Sequence, residues 1–189
     1  MNGENGARLI VISSPSGGGK TSVINYLMEK HPTMVHSISW TTRPPRPGQV
    51  DRGYYENVDP ATFLEERRQG GFAEWAVVHD HFYGTPQAPL DQALDQHRNV
   101  LLDLDVVGGT KLKERYGDKA ILIFLTPPSM DELSKRLAAR ATDSAEDVAL
   151  RLENARKELA SKDLYDYQVV NDVLEDACTE IERILGLSE

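Results

Sequence analysis

The residues that could do chemistry begin with a glycine-rich segment, Ser14-Pro-Ser-Gly-Gly-Gly-Lys-Thr21. It follows an apolar run and opens a helical pattern, which is the context that a phosphate-binding loop requires. Glycines let backbone N–H groups cradle phosphate oxygens, and the start of a helix adds partial positive charge. We therefore expect nucleotide phosphates to bind here, with Lys20 on the β- and γ-phosphates and the Thr21 hydroxyl on Mg²⁺. The segment comprises Ser14, Pro15, Ser16, Gly17, Gly18, Gly19, Lys20 and Thr21.

The segment departs from the strict phosphate-loop pattern at one position, and it also allows an alternative interpretation. The strict phosphate-loop pattern has glycine at its first position, where this chain has Ser14. The alternative is a glycine-rich strand–helix turn that binds no ligand.

Two acidic residues follow a second apolar run, in Val100-Leu-Leu-Asp-Leu-Asp105. A phosphate loop works with an acidic residue at the end of another strand, where it holds Mg²⁺ or its waters. Alternation along a strand places Asp103 and Asp105 on one side of the chain. We therefore take Asp103 as a candidate second ligand of Mg²⁺. The alternative is a strand end that carries two solvated acids.

A third candidate is the stretch 39–50, which contains Arg43 and Arg46 and no acidic residue. Two guanidinium groups on a proline-stiffened segment suit bidentate binding of one phosphate. The alternative is a solvated basic loop.

Composition limits the classes of protein that can carry these residues. The chain has 189 residues, with 21 Lys and Arg against 30 Asp and Glu, and a net charge of −9. Such a charge disfavours general nucleic-acid binding, which depends on neutralising phosphates. The single Cys178 excludes a disulfide scaffold and a cysteine-rich zinc site. No apolar run approaches the roughly 18 residues of a membrane span, and no signal-peptide pattern opens the chain. We expect a soluble cytoplasmic protein that binds neither nucleic acid nor membrane.

The elements that must position these residues alternate between strand and helix. Strand patterns cover 8–13, 99–104, 119–125 and 169–170, and helical patterns cover 21–30, 109–116, 130–139 and 174–185. Ser129 with Glu132 makes a capping box. This alternation predicts an α/β fold, with a parallel sheet flanked by helices.

Residues 36–88 interrupt that rhythm and predict a small α+β insertion. Phe72–Val78 is typical of a strand. Asp59-Pro60 and Thr85-Pro86 each predict an N-cap followed by proline at the first helical position.

The motifs, in their order and spacing, resemble guanylate kinase over residues 7–187. The segments that carry the resemblance are Ser39-x-Thr-Thr-Arg43-x-x-Arg46-x-Gly48, Tyr55, Glu74-Trp75, Tyr83-Gly84-Thr85, Asp103-x-Asp105, Pro127-Pro128-Ser129, Arg136, Arg140, Arg151 and Val-Val-Asn171-Asp172. The resemblance implies a P-loop core of residues 7–35 and 89–187 and a GMP-binding insertion of residues 36–88. It also implies a mobile helical lid at about 140–152, and we expect residues 1–6 to form a flexible tail.

The resemblance also implies a role for each matching residue. Arg43, Arg46, Tyr55 and Tyr83 resemble the residues that hold the GMP phosphate, and Ser39, Glu74 and Thr85 those that recognise guanine. Asp103 and Asp105 are assigned to the GMP side as well. Arg136 and Asn171 are assigned to ATP, and Arg140 and Arg151 resemble the lid arginines that close over the transferring phosphoryl group. The expected catalytic set is therefore Lys20, Arg43, Arg140 and Arg151.

Chemistry supports the assignment of Glu74 to guanine. A carboxylate can accept hydrogen bonds from both the N1–H and the 2-amino group of guanine. Adenine has an acceptor at N1 and no 2-amino group, so a site built on these hydrogen bonds rejects adenine by roughly 10⁴–10⁵-fold.

Together these features predict a Mg²⁺-dependent enzyme that phosphorylates GMP, and dGMP, from ATP, in purine nucleotide metabolism. Two alternatives stay open: a binding module of the same family that has lost catalysis, and a P-loop kinase that acts on a sugar phosphate. The sequence does not decide the oligomeric state.

Overall fold

The structure is a computed structural model that describes residues 6–45, 53–78, 80–139 and 145–187. Its strands are β1 (Leu9–Ser13), β2 (Val35–His36), β3 (Ser39–Thr41), β4 (Tyr55–Asn57), β5 (Phe72–Val78), β6 (His81–Pro86), β7 (Val100–Asp103), β8 (Ala120–Thr126) and β9 (Tyr167–Val170). Its helices are α1 (Lys20–Lys30), α2 (Pro60–Arg68), α3 (Gln87–Asp95), α4 (Val106–Tyr116), α5 (Met130–Ala138), α6 (Ala145–Leu159) and α7 (Leu174–Leu185). Two 3₁₀ turns, Gly117–Lys119 and Lys162–Leu164, precede β8 and β9.

The larger sheet has five strands in the order β2-β7-β1-β8-β9. The pairs β2–β7 and β8–β9 are parallel, with Val35 opposite Val100 and Leu125 opposite Val169. All five residues of β1 are buried, as is typical of strands in parallel sheets with both faces covered. The alternation of helices with these strands confirms the predicted α/β class.

The smaller sheet has four strands in the order β4-β3-β6-β5. Strand β3 pairs parallel with β4 and antiparallel with β6, and β5 pairs antiparallel with β6. Helix α2 follows β4 in the chain and begins where Asp59 accepts hydrogen bonds from the N–H groups of Ala61 and Thr62. The predicted Asp59-Pro60 helix start is therefore confirmed.

The other predicted helix start in this region, at Thr85-Pro86, is wrong. Both residues belong to strand β6, and α3 begins only at Gln87, without a side-chain cap. The Thr85 hydroxyl instead donates to Glu74 across the sheet. The Thr85 hydroxyl therefore binds a buried carboxylate on the neighbouring strand and does not cap the first N–H groups of α3.

The chain divides into two compact units. Unit 1 comprises Met1–Ile10, Thr33–Leu102 and Val107–Ala120, and unit 2 comprises Val11–Pro32, Asp103–Val106 and Ile121–Glu189. In unit 2, α5 and α6 pack through Leu133, Leu137 and Ala155, and the Ser129 hydroxyl accepts from the Glu132 N–H to start α5. The division predicted from sequence, with an insertion at 36–88, stays a prediction. No helix among the described residues is long and apolar enough to cross a bilayer.

Candidate active site

The glycine-rich segment of unit 2 forms a compact turn between β1 and α1. The Gly18 N–H donates to the Pro15 carbonyl at 2.8 Å, and the Ser22 and Val23 N–H groups donate to the Gly19 carbonyl. Gly17 and Gly19 have φ of 87° and 90°, in the left-handed region that favours glycine. The predicted strand–loop–helix arrangement is therefore present, with backbone N–H groups at the start of a helix.

Asn171 packs against this loop directly. Its side-chain Nδ2 donates to the Gly18 carbonyl at 2.8 Å, and the residue is buried. A Cβ added at Gly19 would lie 2.2 Å from Asn171 Nδ2. Glycine is therefore required at position 19 by both its backbone conformation and its neighbour. The amide of Asn171 supports the loop from within unit 2, and its assignment to ATP stays a prediction.

Lys20 lies where β7 ends. Its Nζ is 2.5 Å from Asp103 Oδ1 and donates to the Leu104 carbonyl at 3.3 Å. Asp105 is exposed two residues further on. The predicted grouping of the lysine with an acidic strand end is therefore present in unit 2.

The structure describes two of the three arginines assigned to ATP or to the lid, one on α5 and one on α6. On α5, Arg136 contacts Glu132 at 3.1 Å and donates to the Asn171 carbonyl at 2.9 Å. It thus binds the same segment that supports the loop. Arg151 lies on α6 and is half-buried, whereas Arg140 lies outside the described residues.

Unit 1 contains a row of polar side chains across its four-stranded sheet. Ser39 lies opposite Tyr55 on β4, and Glu74 lies opposite Thr85. Because Trp40 pairs with Gly84, Ser39 lies opposite Thr85 on the adjacent antiparallel strand. The row therefore runs Tyr55, Ser39, Thr85, Glu74, with one residue from each strand.

Hydrogen bonds join three members of this row. The Thr85 hydroxyl donates to Glu74 Oε1 at 2.5 Å and lies 3.5 Å from Ser39 Oγ. Glu74 is 8 % exposed and Thr85 is 0 % exposed. A carboxylate has about four lone-pair sites, so one hydroxyl does not exhaust its capacity to accept from a ligand.

A β-bulge decides which face Glu74 occupies. Phe72 pairs with Pro86 and Glu74 pairs with Thr85, so two steps along β5 match one step along β6. The extra residue turns Phe72 and Glu74 to opposite faces, although regular alternation would place them together. Phe72 then stacks on Phe63 of α2 at 4.4 Å. The bulge thus separates an apolar face of the sheet from the polar face that carries Glu74.

Of the residues assigned to the GMP phosphate, Tyr55 and Tyr83 lie on the same sheet and Arg43 lies just after β3. Tyr55 and Tyr83 form an edge-to-face pair with ring centroids 6.0 Å apart. The Arg43 N–H donates to the Thr41 hydroxyl at 3.1 Å, which fixes the backbone of that residue. Arg46 lies outside the described residues.

Comparison with known proteins identifies the family. The sequence model of the guanylate kinase family matches residues 6–187. Guanylate kinase of Syntrophotalea carbinolica is 46 % identical over 177 residues, which cover 94 % of this chain and 84 % of that protein. Guanylate kinase of Sphingopyxis alaskensis is 42 % identical over 177 residues, 94 % of this chain and 80 % of that protein.

The chain belongs to the guanylate kinase family.

A solved structure agrees with this assignment. The crystal structure of guanylate kinase from Anaplasma phagocytophilum superimposes with a TM-score of 0.78 and 33 % identity, covering 97 % of this chain and 86 % of that chain. The resemblance, the P-loop α/β fold and the assignment to an enzyme family are thereby confirmed. The roles of individual residues in this guanylate kinase family member stay predictions.

The structure places two further residues at the phosphate loop that sequence reasoning missed. The Tyr165 hydroxyl donates to Ser13 Oγ at 2.6 Å, and Ser13 donates to the Leu104 carbonyl at 2.7 Å. Burial raises the pKa of Tyr165 to about 12. Tyr165 lies about 150 residues beyond the loop in sequence, and no local pattern marks such a contact.

Glu158 on α6 is a third residue that sequence reasoning missed. Burial raises the pKa of its carboxyl, against the opposing influence of the Ser16 N–H and Lys20. Its Oε2 is buried without a hydrogen-bond partner among the described residues. The last turn of α6 therefore brings a carboxyl close to the phosphate loop of unit 2.

The donor set at the loop fits Mg²⁺ as kinases bind it. In the part of the chain that the structure describes, no three His, Cys, Asp or Glu side chains are grouped to hold a metal ion. Mg²⁺ usually takes one or two carboxylates, substrate phosphates and several waters rather than an all-protein cage. The Thr21 hydroxyl at the start of α1 and the Asp103 carboxylate at the end of β7 are oxygen donors of the required kind.

Proposed function

We propose that this chain transfers the γ-phosphoryl group of ATP to the phosphate of GMP, giving ADP and GDP. The observation that carries the choice of guanine is the buried Glu74 carboxylate, which accepts from Thr85 at 2.5 Å within a row of polar side chains. The names of the relatives, all guanylate kinases, support the same substrate.

Glu74 recognises guanine by accepting from N1–H and the 2-amino group. Both are donors, and a buried carboxylate forms strong charge-assisted hydrogen bonds to such groups. Thr85 and Ser39 orient the carboxylate within the row. Adenine presents an acceptor at N1, so it would leave a buried charge without its donor.

The GMP phosphate binds Arg43, Arg46, Tyr55 and Tyr83. Guanidinium groups bind phosphate in a bidentate manner, and the tyrosine pair is supported by its edge-to-face contact. Asp103 and Asp105 stay assigned to the GMP side.

The ATP phosphates bind the loop, with backbone N–H groups and Lys20 as donors. Arg136 and Asn171 act on the ATP side as well. Asn171 donates to the Gly18 carbonyl of the loop, and Arg136 donates to the Asn171 carbonyl. Thr21 and Asp103 would hold Mg²⁺, which neutralises charge on the phosphates when bound.

In the transfer, an oxygen of the GMP phosphate bonds to the γ-phosphorus as the bond to the β–γ bridging oxygen breaks. The electron pair of that bond leaves with ADP. The protein holds the reactants in line and stabilises charge on the equatorial oxygens, and no covalent enzyme intermediate is needed. Lys20, Arg43, Arg140 and Arg151 supply that positive charge.

The proposal extends to dGMP, because the residues assigned to substrate bind the base and the phosphate. It places the enzyme in the cytoplasm, in purine nucleotide metabolism.

A coupled ADP-release assay with GMP, dGMP, AMP, UMP and a sugar phosphate tests the proposal. We expect ATP-dependent turnover with GMP and dGMP that requires added Mg²⁺. Turnover with the sugar phosphate but not with GMP would support the sugar kinase alternative. Calorimetric binding of GMP without ADP release would support a binding module that has lost catalysis.

A further inference from the structure

A continuous chain of hydrogen bonds joins Tyr165 to the lysine of the phosphate loop. Tyr165 Oη lies 2.6 Å from Ser13 Oγ, which lies 2.7 Å from the Leu104 carbonyl oxygen. Lys20 Nζ donates to the same carbonyl oxygen at 3.3 Å. Leu104 thus receives two donors, one for each lone pair of its carbonyl oxygen.

The chemistry of these groups fixes the direction of each hydrogen bond. A carbonyl oxygen only accepts, so Ser13 and Lys20 both donate to Leu104. Ser13 has one hydroxyl proton, and it is used in that bond. The Tyr165 hydroxyl must therefore donate to Ser13. Burial raises the pKa of Tyr165 to about 12, which keeps the phenol protonated as a donor at neutral pH.

The part of this hydrogen-bond chain that runs from Tyr165 to Leu104 is shielded from water. Ser13 is 1 % exposed and Tyr165 is 7 % exposed. The Tyr165 ring packs edge-to-face on Phe124 of β8, with centroids 5.0 Å apart, which sets the position of its hydroxyl. Hydrogen bonds in such surroundings strengthen one another and leave a large penalty when one partner is removed.

Two members of this hydrogen-bond chain, Ser13 and Leu104, lie at strand ends beside the phosphate loop and its lysine. Ser13 is the last residue of β1, directly before the phosphate loop. Leu104 directly follows Asp103, which ends β7 and lies 2.5 Å from Lys20 Nζ. The position of the Leu104 carbonyl therefore affects the placement of the ammonium group.

We infer that Tyr165 is a positioning residue for Lys20, acting through the Ser13 hydroxyl and the Leu104 carbonyl. This inference rests on the proposed function, because that function gives Lys20 its role on the nucleotide phosphates. Tyr165 itself touches no reacting atom in this arrangement.

The test compares Tyr165→Phe with Tyr116→Phe. The first keeps the ring on Phe124 and removes only the hydroxyl. The second also removes a half-buried hydroxyl, which donates to Asp91 at 2.8 Å in unit 1. We expect Tyr165→Phe to lower the ADP affinity measured by calorimetry about tenfold and to lower kcat about tenfold. This magnitude corresponds to the loss of one hydrogen bond. The KM for GMP should stay within about twofold of wild type, and Tyr116→Phe should leave all three values within the same range.

A double-mutant cycle with Lys20→Ala separates positioning from a general loss of stability. In the Lys20→Ala background, Tyr165→Phe should change ADP affinity by less than about twofold, because the group that it positions is gone. Ser13→Ala should reproduce the effect of Tyr165→Phe and provides a second route should the tyrosine variant fold poorly.

Three results would overturn the inference. The first is an equal loss of ADP affinity and kcat in Tyr165→Phe and Tyr116→Phe, and the second is an unchanged ADP affinity in Tyr165→Phe. The third is an undiminished loss of ADP affinity when Tyr165→Phe is added to Lys20→Ala. The ADP titrations also separate this inference from the proposed function. Absence of GMP-dependent turnover in the wild type would contradict the function, while the ADP affinities would still test Tyr165.

Discussion

Nζ of Lys20 lies 2.5 Å from Oδ1 of Asp103, so the loop lysine and the acidic end of β7 form an ion pair within unit 2. The side chains are 22 % and 17 % exposed, respectively. The carboxylate therefore holds the ammonium group at the strand end, beside the loop that would receive the phosphates.

Replacement of Lys20 by alanine removes this positive charge from the phosphate site. We expect Lys20→Ala to lower kcat by about 10²–10³-fold, the range for loss of one donor to developing charge. GMP binding, measured by calorimetry, should change little. Lys157→Ala is the matched control, because Lys157 pairs with Glu153 at 2.7 Å on the exposed face of α6. A kcat of Lys20→Ala within about tenfold of wild type would contradict the assigned role.

Glu74→Gln tests the recognition of the base. The Thr85 hydroxyl donates to one carboxylate oxygen, which favours the amide oxygen on that side and turns the NH₂ group toward the base. One guanine donor then faces a donor, at a cost of about 2 kcal/mol, or thirtyfold in kcat/KM for GMP. The same NH₂ group can donate to adenine N1, so activity with AMP should rise relative to GMP.

Two variants control that comparison. Arg43→Ala should weaken GMP and AMP alike, because it affects the phosphate that both share. Glu65→Gln should change neither, because Glu65 pairs with Arg68 on the exposed surface of α2. An equal loss of GMP and AMP activity in Glu74→Gln would mean that Glu74 is structural.

Two positions of the glycine-rich loop should respond differently to substitution. Ser14→Gly should keep kcat and the KM for ATP within a few-fold, because the phosphate-facing N–H groups come mainly from 17–21. In Gly19→Ala, the new Cβ would lie 2.2 Å from Asn171 Nδ2 at a φ of 90°. We expect Gly19→Ala to weaken ADP binding by at least about tenfold, since backbone strain of 1–2 kcal/mol adds to the clash.

Gly70→Ala separates strain from the clash in thermal unfolding. Gly70 has a φ of 73°, and an added Cβ there would meet nothing within 4 Å. Gly70→Ala should therefore lower the Tm less than Gly19→Ala and leave ADP binding unchanged. Equal ADP affinities of Gly19→Ala and wild type would mean that the contact between Asn171 and the loop does not contribute to nucleotide binding.

The stability of unit 2 should fall at acid pH through Glu182. This residue of α7 is 3 % exposed, and its carboxylate contacts Lys30 at 2.8 Å and His31 at 2.7 Å. Burial opposes its charge, but the hydrogen bonds from Lys30 and His31 outweigh burial and lower the pKa of the carboxyl. A lowered pKa in the folded state stabilises the fold above the unfolded-state pKa of about 4.3, and this contribution is lost as pH falls through the folded-state pKa.

Urea unfolding of the wild type and Glu182→Gln between pH 3 and 7 measures this contribution. The wild type should be more stable by a constant amount above about pH 5, and the difference should shrink below about pH 4. Glu180→Gln is the control on the same helix, because Glu180 pairs with Arg183 at the exposed surface and should contribute little. A difference between wild type and Glu182→Gln that is independent of pH would contradict the ion-pair explanation.

Local pattern was sufficient to predict the parallel α/β sheet, the loop from Ser14 to Thr21 and the helix starts at Asp59 and Ser129. Each of these depends on residues that are neighbours in sequence: an apolar run for a buried strand, glycines for left-handed φ, and a short polar side chain for the first N–H groups of a helix. The order of the polar motifs along the chain was also sufficient to identify the guanylate kinase family.

Tertiary structure decided what depends on partners distant in sequence. Thr85 has the local signature of an N-cap, yet its hydroxyl binds Glu74 on another strand, and a bulge after Phe72 decides which face Glu74 occupies. Tyr165 and Asn171 reach the phosphate loop across more than 150 residues. A side chain forms its hydrogen bonds with whichever group the fold brings within about 3 Å, and sequence spacing does not specify that neighbour.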